Sequence, residues 1–428
     1  MKQKSQILMN AFLQISKMTA NSFESKINDF LRKHNFSTEF AGLKEKLAKD
    51  MALGLEQRGA SQQAMIKAGS ADIKEIKNGE KVIVIDAGGT NFRSCLVEKG
   101  ERGLTISDFQ KTFMPASDRE LSKNDFYNAI ADNIERLKDK ADKISFCFSY
   151  AIEITEKGDG KILKFSKEVK APQAVGTYVG KELFSVLKER GWKNLQKITI
   201  LNDTTALLLS ACLEKNGNAA FILGTGMNST YILNKQIIVT ECGMFSTLPQ
   251  SDFDIAVDKF STAPGTSILE KMTSGAYLGK IAKEMLLAAD KECLFSKEAA
   301  GKIINTDEIK ASDFDGFLFP EKENEKTSRL NRIFDTTSTE DRQKALFLIK
   351  KLIERTASLC SQAILVLIEE CDKKEGVSIA CNGSTFWKTP YLLEMIKDKL
   401  NKASTCPYQI IQIDDDITKG SFAAAFIQ

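Results

Sequence analysis

Apolar residues at the start of the chain recur at steps of three and four, through Ile7-Leu-Met, Phe12-Leu and Ile15, then Phe30-Leu, then Phe40, Leu43 and Leu47. That is the period of one buried helix face, so residues 1 to about 75 read as helical, with Ser37 or Thr38 as the N-cap of the last run. From Lys81 the period changes. Val82-Ile-Val-Ile85 is an apolar run of strand length, Gly88-Gly89 punctuates it, and Phe92-Arg-Ser-Cys-Leu-Val97 returns as a second strand. A helix is expected over 124–140, a strand at Ile144-Ser-Phe-Cys-Phe148, a helix over 178–190 closed by Gly191, and a strand at Ile198-Thr-Ile-Leu201 that stops at Asn202-Asp203. The plan then restarts: Ala219-Ala-Phe-Ile-Leu223, a glycine turn and Ser229-Thr-Tyr-Ile-Leu233 repeat residues 82–97. Two such modules, with strands and helices alternating, predict an α/β chain of two duplicated lobes.

Beyond the second module, residues 268–290 read as helix and 305–342 as a polar, irregular surface excursion. Residues 343–370 carry one long apolar face that widens at Ala363-Ile-Leu-Val-Leu-Ile368, so the second half of this helix should be buried. Val377-Ser-Ile-Ala380 leads as a strand into Asn382-Gly-Ser384, and Gln409-Ile-Ile-Gln-Ile413 precedes an acidic loop and a C-terminal helix. The expected division is N-terminal helices 1–75 packing on the large lobe, a small lobe over 76–201 rejoined by the C-terminal helix 416–428, and a large lobe over 202–415.

Composition narrows the chemistry. A chain of 428 residues exceeds one ordinary core, and 43% hydrophobic with 27% charged residues is the balance of a water-soluble globular protein. Asn10, Gln14 and Ser16 interrupt the N-terminal apolar residues, leaving neither a signal-peptide core nor a membrane span, so cytoplasmic residence is expected. The 60 basic and 57 acidic residues are interleaved, which leaves no electrostatic footprint for nucleic acid. Nine scattered cysteines without a CxxC pair read as reduced, buried thiols and not as disulfides or a zinc site. The one histidine, His34, lies in a polar segment and reads as a surface residue. Ser-His-Asp, Cys-His and His-rich zinc chemistry therefore lack their imidazole, and acid-base work falls to carboxylates or lysines.

Three stretches suggest what that work is: Asp86-Ala-Gly-Gly-Thr-Asn-Phe-Arg93, Leu201-Asn-Asp-Thr-Thr205 and Leu223-Gly-Thr-Gly-Met-Asn228. The first and third place glycines between apolar runs, as a hairpin turn does when its amides must approach an anion. The second brings a carboxylate to a strand end. Two anion-accepting turns and a carboxylate between them point to phosphoryl transfer, which needs positioning, charge neutralisation and a proton acceptor. Neither turn fits GxxxxGK[ST] or the GxGxxG that opens a dinucleotide-binding helix.

From about residue 80 to the C-terminus the chain resembles the hexokinase family of the actin-like sugar-kinase superfamily. The first glycine stretch is similar to that family's first phosphate motif. Ser149, Ser166-Lys167, Asn202-Asp203-Thr204, Gly224-Thr-Gly-Met-Asn228, Glu241-Cys-Gly-Met-Phe245, and Pro264-Gly265 followed by Glu270-Lys-Met appear in the family's order. The resemblance implies a two-lobed actin-like ATPase (ribonuclease H-like) fold and ATP-dependent phosphorylation of a hexose, D-glucose foremost, at its 6-hydroxyl, the first step of glycolysis. It implies that Ser149, Ser166, Lys167, Asn202, Asp203, Asn228, Glu241 and Glu270 hold the sugar, that Asp203 takes the 6-hydroxyl proton, and that Lys167 stabilises the transferring phosphoryl group. Gly88, Gly89, Thr90, Asn91 and Arg93 are implied to line the phosphate path opposite Thr225 and Gly226. Gly383, Ser384 and Lys419 match nucleotide-side motifs, and Mg²⁺ is implied at Asp86 and Asp203, mostly through water. The sequence departs from the family where Cys242 replaces an aromatic residue, Ala151 a proline and Asn382 an aspartate. A sugar-binding module that has lost catalysis and a filament-forming ATPase are the competing readings of another class.

Overall fold

The computed structural model describes residues 22–155, 158–165, 169–319, 328–372 and 376–427. β1 (Ile66–Ser70) precedes a first sheet made of β2 (Lys81–Gly88), β3 (Asn91–Gly100), β4 (Gly103–Phe113), β5 (Lys143–Phe148) and, after a small hairpin of β6 (Ala151–Ile154) and β7 (Gly160–Lys164), β8 (Lys197–Leu201). A second sheet takes β9 (Ala219–Leu223), β10 (Met227–Leu233), β11 (Gln236–Val239), β12 (Val377–Asn382) and β13 (Tyr408–Ile411), and β1 pairs onto its edge. The sheet orders are β4-β3-β2-β5-β8 and β1-β11-β10-β9-β12-β13. Without β1 they are the same: an antiparallel triplet whose first strand also pairs in parallel with the fourth, and the fourth with the fifth. The duplication is therefore one of topology. Two mixed sheets of one plan give the two-lobed α/β architecture that the resemblance implied.

Burial explains the continuous apolar runs. Ile83 and Ile85 of β2 pack with Phe126, Ile130 and Leu183 from the helices Lys123–Ile134 and Val179–Glu189, while Val82 and Val84 meet Phe422 and Phe426 on the other face. A strand covered on both faces has no polar alternation to show. In the second lobe, the helix Thr339–Glu370 runs about 48 Å at 1.5 Å per residue. The helices Ser22–Lys33 and Leu43–Glu56 bring Phe23, Ile27, Phe30, Leu47 and Met51 into the same apolar cluster as Leu359, Ile364 and Phe221. Between the sheets the helices Asp203–Lys215 and Asp416–Ala424 cross so closely that a methyl group at Gly420 would collide with the Ala206 carbonyl. Their small residues share a cluster with Cys147 of β5, Ala220 of β9 and Ala380 of β12, so this pair joins the two lobes.

Several expectations change. The N-terminal segment is not all helix, because Ile66–Ser70 pairs with β11 as an edge strand; the run over residues 7–15 lies outside the described residues. The Leu43–Glu56 helix starts from Gly42 in a left-handed conformation, and Ser37 instead accepts the Glu39 N–H at 3.0 Å. The 305–342 stretch is no surface excursion: the helices Asp313–Leu318 and Arg329–Phe334 bury Phe314, Phe317, Leu330, Ile333 and Phe334. Polar neighbours mask aromatic anchors three residues apart there. His34 is largely covered, its ring nitrogens 2.8 Å from Asp252 and 2.9 Å from Glu292. All nine cysteines are free thiols, most of them buried. Among the described residues, no helix is long and apolar enough to cross a membrane.

Candidate active site

β2 and β3 close through a two-residue turn, Gly89-Thr90, between the paired Gly88 and Asn91. Gly89 has φ +58°, the positive value that glycine supplies at the first central position of a tight hairpin. Both central carbonyls are occupied: Tyr150 Oη donates to Gly89 O at 2.8 Å, and Met114 N to Thr90 O at 2.9 Å. Asp86 lies on β2 just ahead of the turn, and its Oδ2 is 2.6 Å from Arg93 Nη1. Burial raises the Asp86 pKa, and the guanidinium opposes the rise. Ser149 sits beside the turn, its N–H on Ala87 O at 2.9 Å.

The second turn, residues 224–226, connects β9 to β10. Gly224 O accepts from Gly275 N and Thr385 Oγ1, both at 2.8 Å, and Thr225 O from Ala276 N at 3.3 Å. The turn thus satisfies the first free amides of the helix Gly275–Lys291. This is why the helix expected over 268–290 is two helices, Ile268–Thr273 and Gly275–Lys291, broken at Ser274. Gly383, at φ +112°, leaves no space for a side chain against the Leu223 carbonyl. Ser384 is exposed just beyond it.

Asp203 opens the helix Asp203–Lys215, and Asn202 caps it by accepting the Thr205 N–H at 2.8 Å. The Asp203 carboxylate accepts the Thr204 N–H at 2.8 Å. Its pKa is raised, first by burial and then by the Asp86 and Asp416 carboxylates, against the hydrogen bond from Thr204. On the second-lobe side, Asn228 donates to Glu241 Oε1 at 2.6 Å and accepts the Glu241 N–H at 3.1 Å. Burial pushes the Glu241 carboxyl up to about 7, with Asp203 and Glu270 adding to the rise. Glu270 accepts the Met227 N–H at 3.0 Å, and its carboxylate fills the space a side chain at Gly226 would need. The fold therefore links the carboxylates in a series, Asp86 acting on Asp203, and Asp203 and Glu270 on Glu241.

Ser166 and Lys167 lie outside the described residues. Lys419 Nζ is 2.6 Å from Glu214, a residue about 16 Å along the helix from Asp203. Besides Thr385, two polar residues join the site without having been singled out in the sequence. Tyr150 holds the first turn, and no local pattern marks a hydroxyl whose partner is a carbonyl on another strand. Asp416, first residue of the C-terminal helix, is buried, accepts from Asn382 Nδ2 and contributes to the field at Asp203. It lies in the acidic run Asp414-Asp-Asp416, but which of the three turns inward depends on helix phase.

Among the described residues, no cluster of three or more His, Cys, Asp or Glu side chains could hold a metal ion directly. Mg²⁺ characteristically takes one or two carboxylates and completes its shell with water and phosphate oxygens. Asp86, just ahead of the first turn, and Asp203, in the field of Asp86, fit that limited part.

Two family models, both described as hexokinase, match consecutive stretches of the chain, residues 26–213 and 218–427. Glucokinase-1 of Kluyveromyces lactis is 26% identical over 381 residues, which is 76% of this chain and 79% of the relative. Hexokinase-1 of Nicotiana tabacum is 27% identical over 363 residues, 75% and 72% of the two chains. A solved hexokinase superposes with a TM-score of 0.79 at 21% identity, covering 94% of this chain and 99% of its own. The hexokinase from Schistosoma mansoni, solved with glucose, gives 0.76 at 20%, covering 94% and 98%. At these identities the structural likeness is one of fold.

Proposed function

Since the chain belongs to the hexokinase family, we propose that it transfers the terminal phosphoryl group of MgATP to the 6-hydroxyl of a hexose, D-glucose foremost. The observation that carries this reading is the position of Asp203: a half-buried carboxylate at a helix N-terminus, in the field of Asp86 and Asp416 and itself acting on Glu241.

In this reading Glu241, Glu270, Asn228 and Asn202 hold sugar hydroxyls, which both donate and accept, so paired carboxylates and amides recognise them together. Ser149 joins them beside the first turn, and the family resemblance gives Ser166 and Lys167 the same sugar-holding role. Asp203 accepts the proton as the 6-oxygen attacks phosphorus, and its raised pKa strengthens it as a base. The Gly88-Gly89-Thr90-Asn91 and Thr225-Gly226 turns present amides to phosphate oxygens, with Gly383 and Ser384 towards the nucleotide. Bound Mg²⁺ would neutralise phosphate charge, held by Asp86 and Asp203 mainly through water. Arg93 holds the Asp86 carboxylate just ahead of the first turn. Water is a smaller nucleophile than the sugar, so lobe closure on the bound hexose is the means of excluding hydrolysis. Intact Asp203, Asp86 and turns favour a working kinase over a silent sugar-binding module.

The test is a coupled assay with purified protein, MgATP and a panel of hexoses. Sugar 6-phosphate formation, fastest with glucose, is the expected result; no product from any common hexose overturns the reading.

A further inference from the structure

We infer that Tyr150 is a positioning residue for nucleotide binding: its hydroxyl fixes the orientation of the Gly89–Thr90 peptide so that the first-lobe turn shows an anion its donor and not its acceptor. The inference rests on the reading above that this turn faces phosphate.

The ring of Tyr150 is anchored by its neighbours. Its centroid is 4.8 Å from Phe148 and 5.6 Å from Phe165, within the aromatic cluster under the first sheet. From that base the hydroxyl reaches Gly89 O at 2.8 Å. A trans peptide points its C=O and N–H in opposite directions, so holding the Gly89 carbonyl aims the Thr90 N–H the other way. The next carbonyl, Thr90 O, is already taken by Met114 N at 2.9 Å. Both acceptors at the tip of the turn are thereby occupied, and the exposed dipole that remains is positive.

Among the described residues, nothing else holds that peptide by packing. A side chain added at Gly89 would meet no atom within 4 Å, so the tip stands in open space. A peptide in a two-residue turn can rotate about its flanking bonds, exchanging the directions of its carbonyl and amide. Glycine at 89 offers no resistance to that rotation. Thr90 resists it in part, since the flipped turn requires positive φ at a β-branched residue. The hydroxyl therefore biases an equilibrium that Thr90 already favours, and its loss should have a graded effect.

The test is Tyr150→Phe, which keeps the ring and removes one oxygen. Calorimetric titration with the magnesium complex of a non-hydrolysable ATP analogue should show affinity about three- to tenfold weaker than wild type, the range for one neutral hydrogen bond. Glucose affinity, titrated separately, should stay within about twofold, because the bond the substitution removes is to a carbonyl of the phosphate turn. Tyr150→Ala, which also removes the packing on Phe148 and Phe165, should lower Tm in addition. Unchanged analogue affinity in Tyr150→Phe overturns the inference, and so does equal weakening for glucose and analogue, which marks a merely structural role. Failure of the kinase reading looks different: wild type that binds the analogue normally and forms no sugar phosphate.

Discussion

The two glycine turns occupy equivalent places in duplicated sheets, and they are held by different means. At residues 224–226, two backbone amides at a helix N-terminus and the Thr385 hydroxyl take the carbonyls, and Gly383 and Glu270 close on the turn from either side. At 88–91 one tyrosine hydroxyl and one strand amide do the holding, and the tip is open. The second-lobe turn is preformed, since moving it would uncap a helix. The first-lobe turn is a light structure on a strand pair, suited to being settled by a ligand. Duplication thus fixed the scaffold, while each turn acquired its own anchors.

The largest effect should come from the group between the turns. Asp203→Asn keeps an acceptor for the Thr204 N–H but cannot take a proton, so turnover should fall by about 10²- to 10⁴-fold with a smaller change in glucose KM. Turnover near wild type would show that the two turns do not flank the base.

The two settings can be compared by adding one methyl group in the first turn and one directly beneath the second. Gly383→Ala must accept φ +112° and a collision with Leu223 O beneath the second turn. It should cost about 3 kcal/mol of stability. Gly89→Ala faces open space and only the left-handed strain, so about 1 kcal/mol is expected in denaturant unfolding. Equal losses would remove the distinction between a packed turn and an open one.

This difference was invisible in the sequence, where both turns are glycines between apolar runs. Asp86, Asp203 and both turns could be read because each depends on neighbours within a few residues: a strand end, a cap, a glycine dipeptide. Tyr150, Asp416 and the Thr385 hydroxyl could not, since their partners are 61, 34 and 161 residues away. The same holds for the fold. Strand runs in the two sheet cores were legible from local period, while β1 forms only because β11 offers an edge, and the aromatic core of 313–334 is hidden by its polar neighbours.

Charge burial is also unequal between the lobes. Glu241, at the end of β11, is pushed from an ordinary 4.5 up to about 7 by burial, so between those values the folded protein keeps a proton that the unfolded chain has released. Stability therefore falls as pH rises through that window and stays low above it. Glu241→Gln removes the penalty and should stabilise the sugar-free protein by on the order of 2 kcal/mol at pH 8. By pH 5 the gain should have nearly vanished, and glucose binding should be weakened throughout. A Tm difference independent of pH would place the carboxyl in a more solvated setting.

The smallest predicted effect bears most directly on the comparison. Thr385→Val removes one hydroxyl from the second turn with little change of shape, as Tyr150→Phe does from the first. Gly224 O, however, keeps its bond from Gly275 N, whereas Gly89 O loses the donor that aims its peptide. Redundant donors share the work, so Thr385→Val should change affinity for the ATP analogue by less than about twofold. Both substitutions delete one oxygen that donates to a turn carbonyl, and their ratio measures how much of each turn's conformation is set by the scaffold. If Thr385→Val weakens the analogue as much as Tyr150→Phe does, the second turn is no more preformed than the first, and closure must order both.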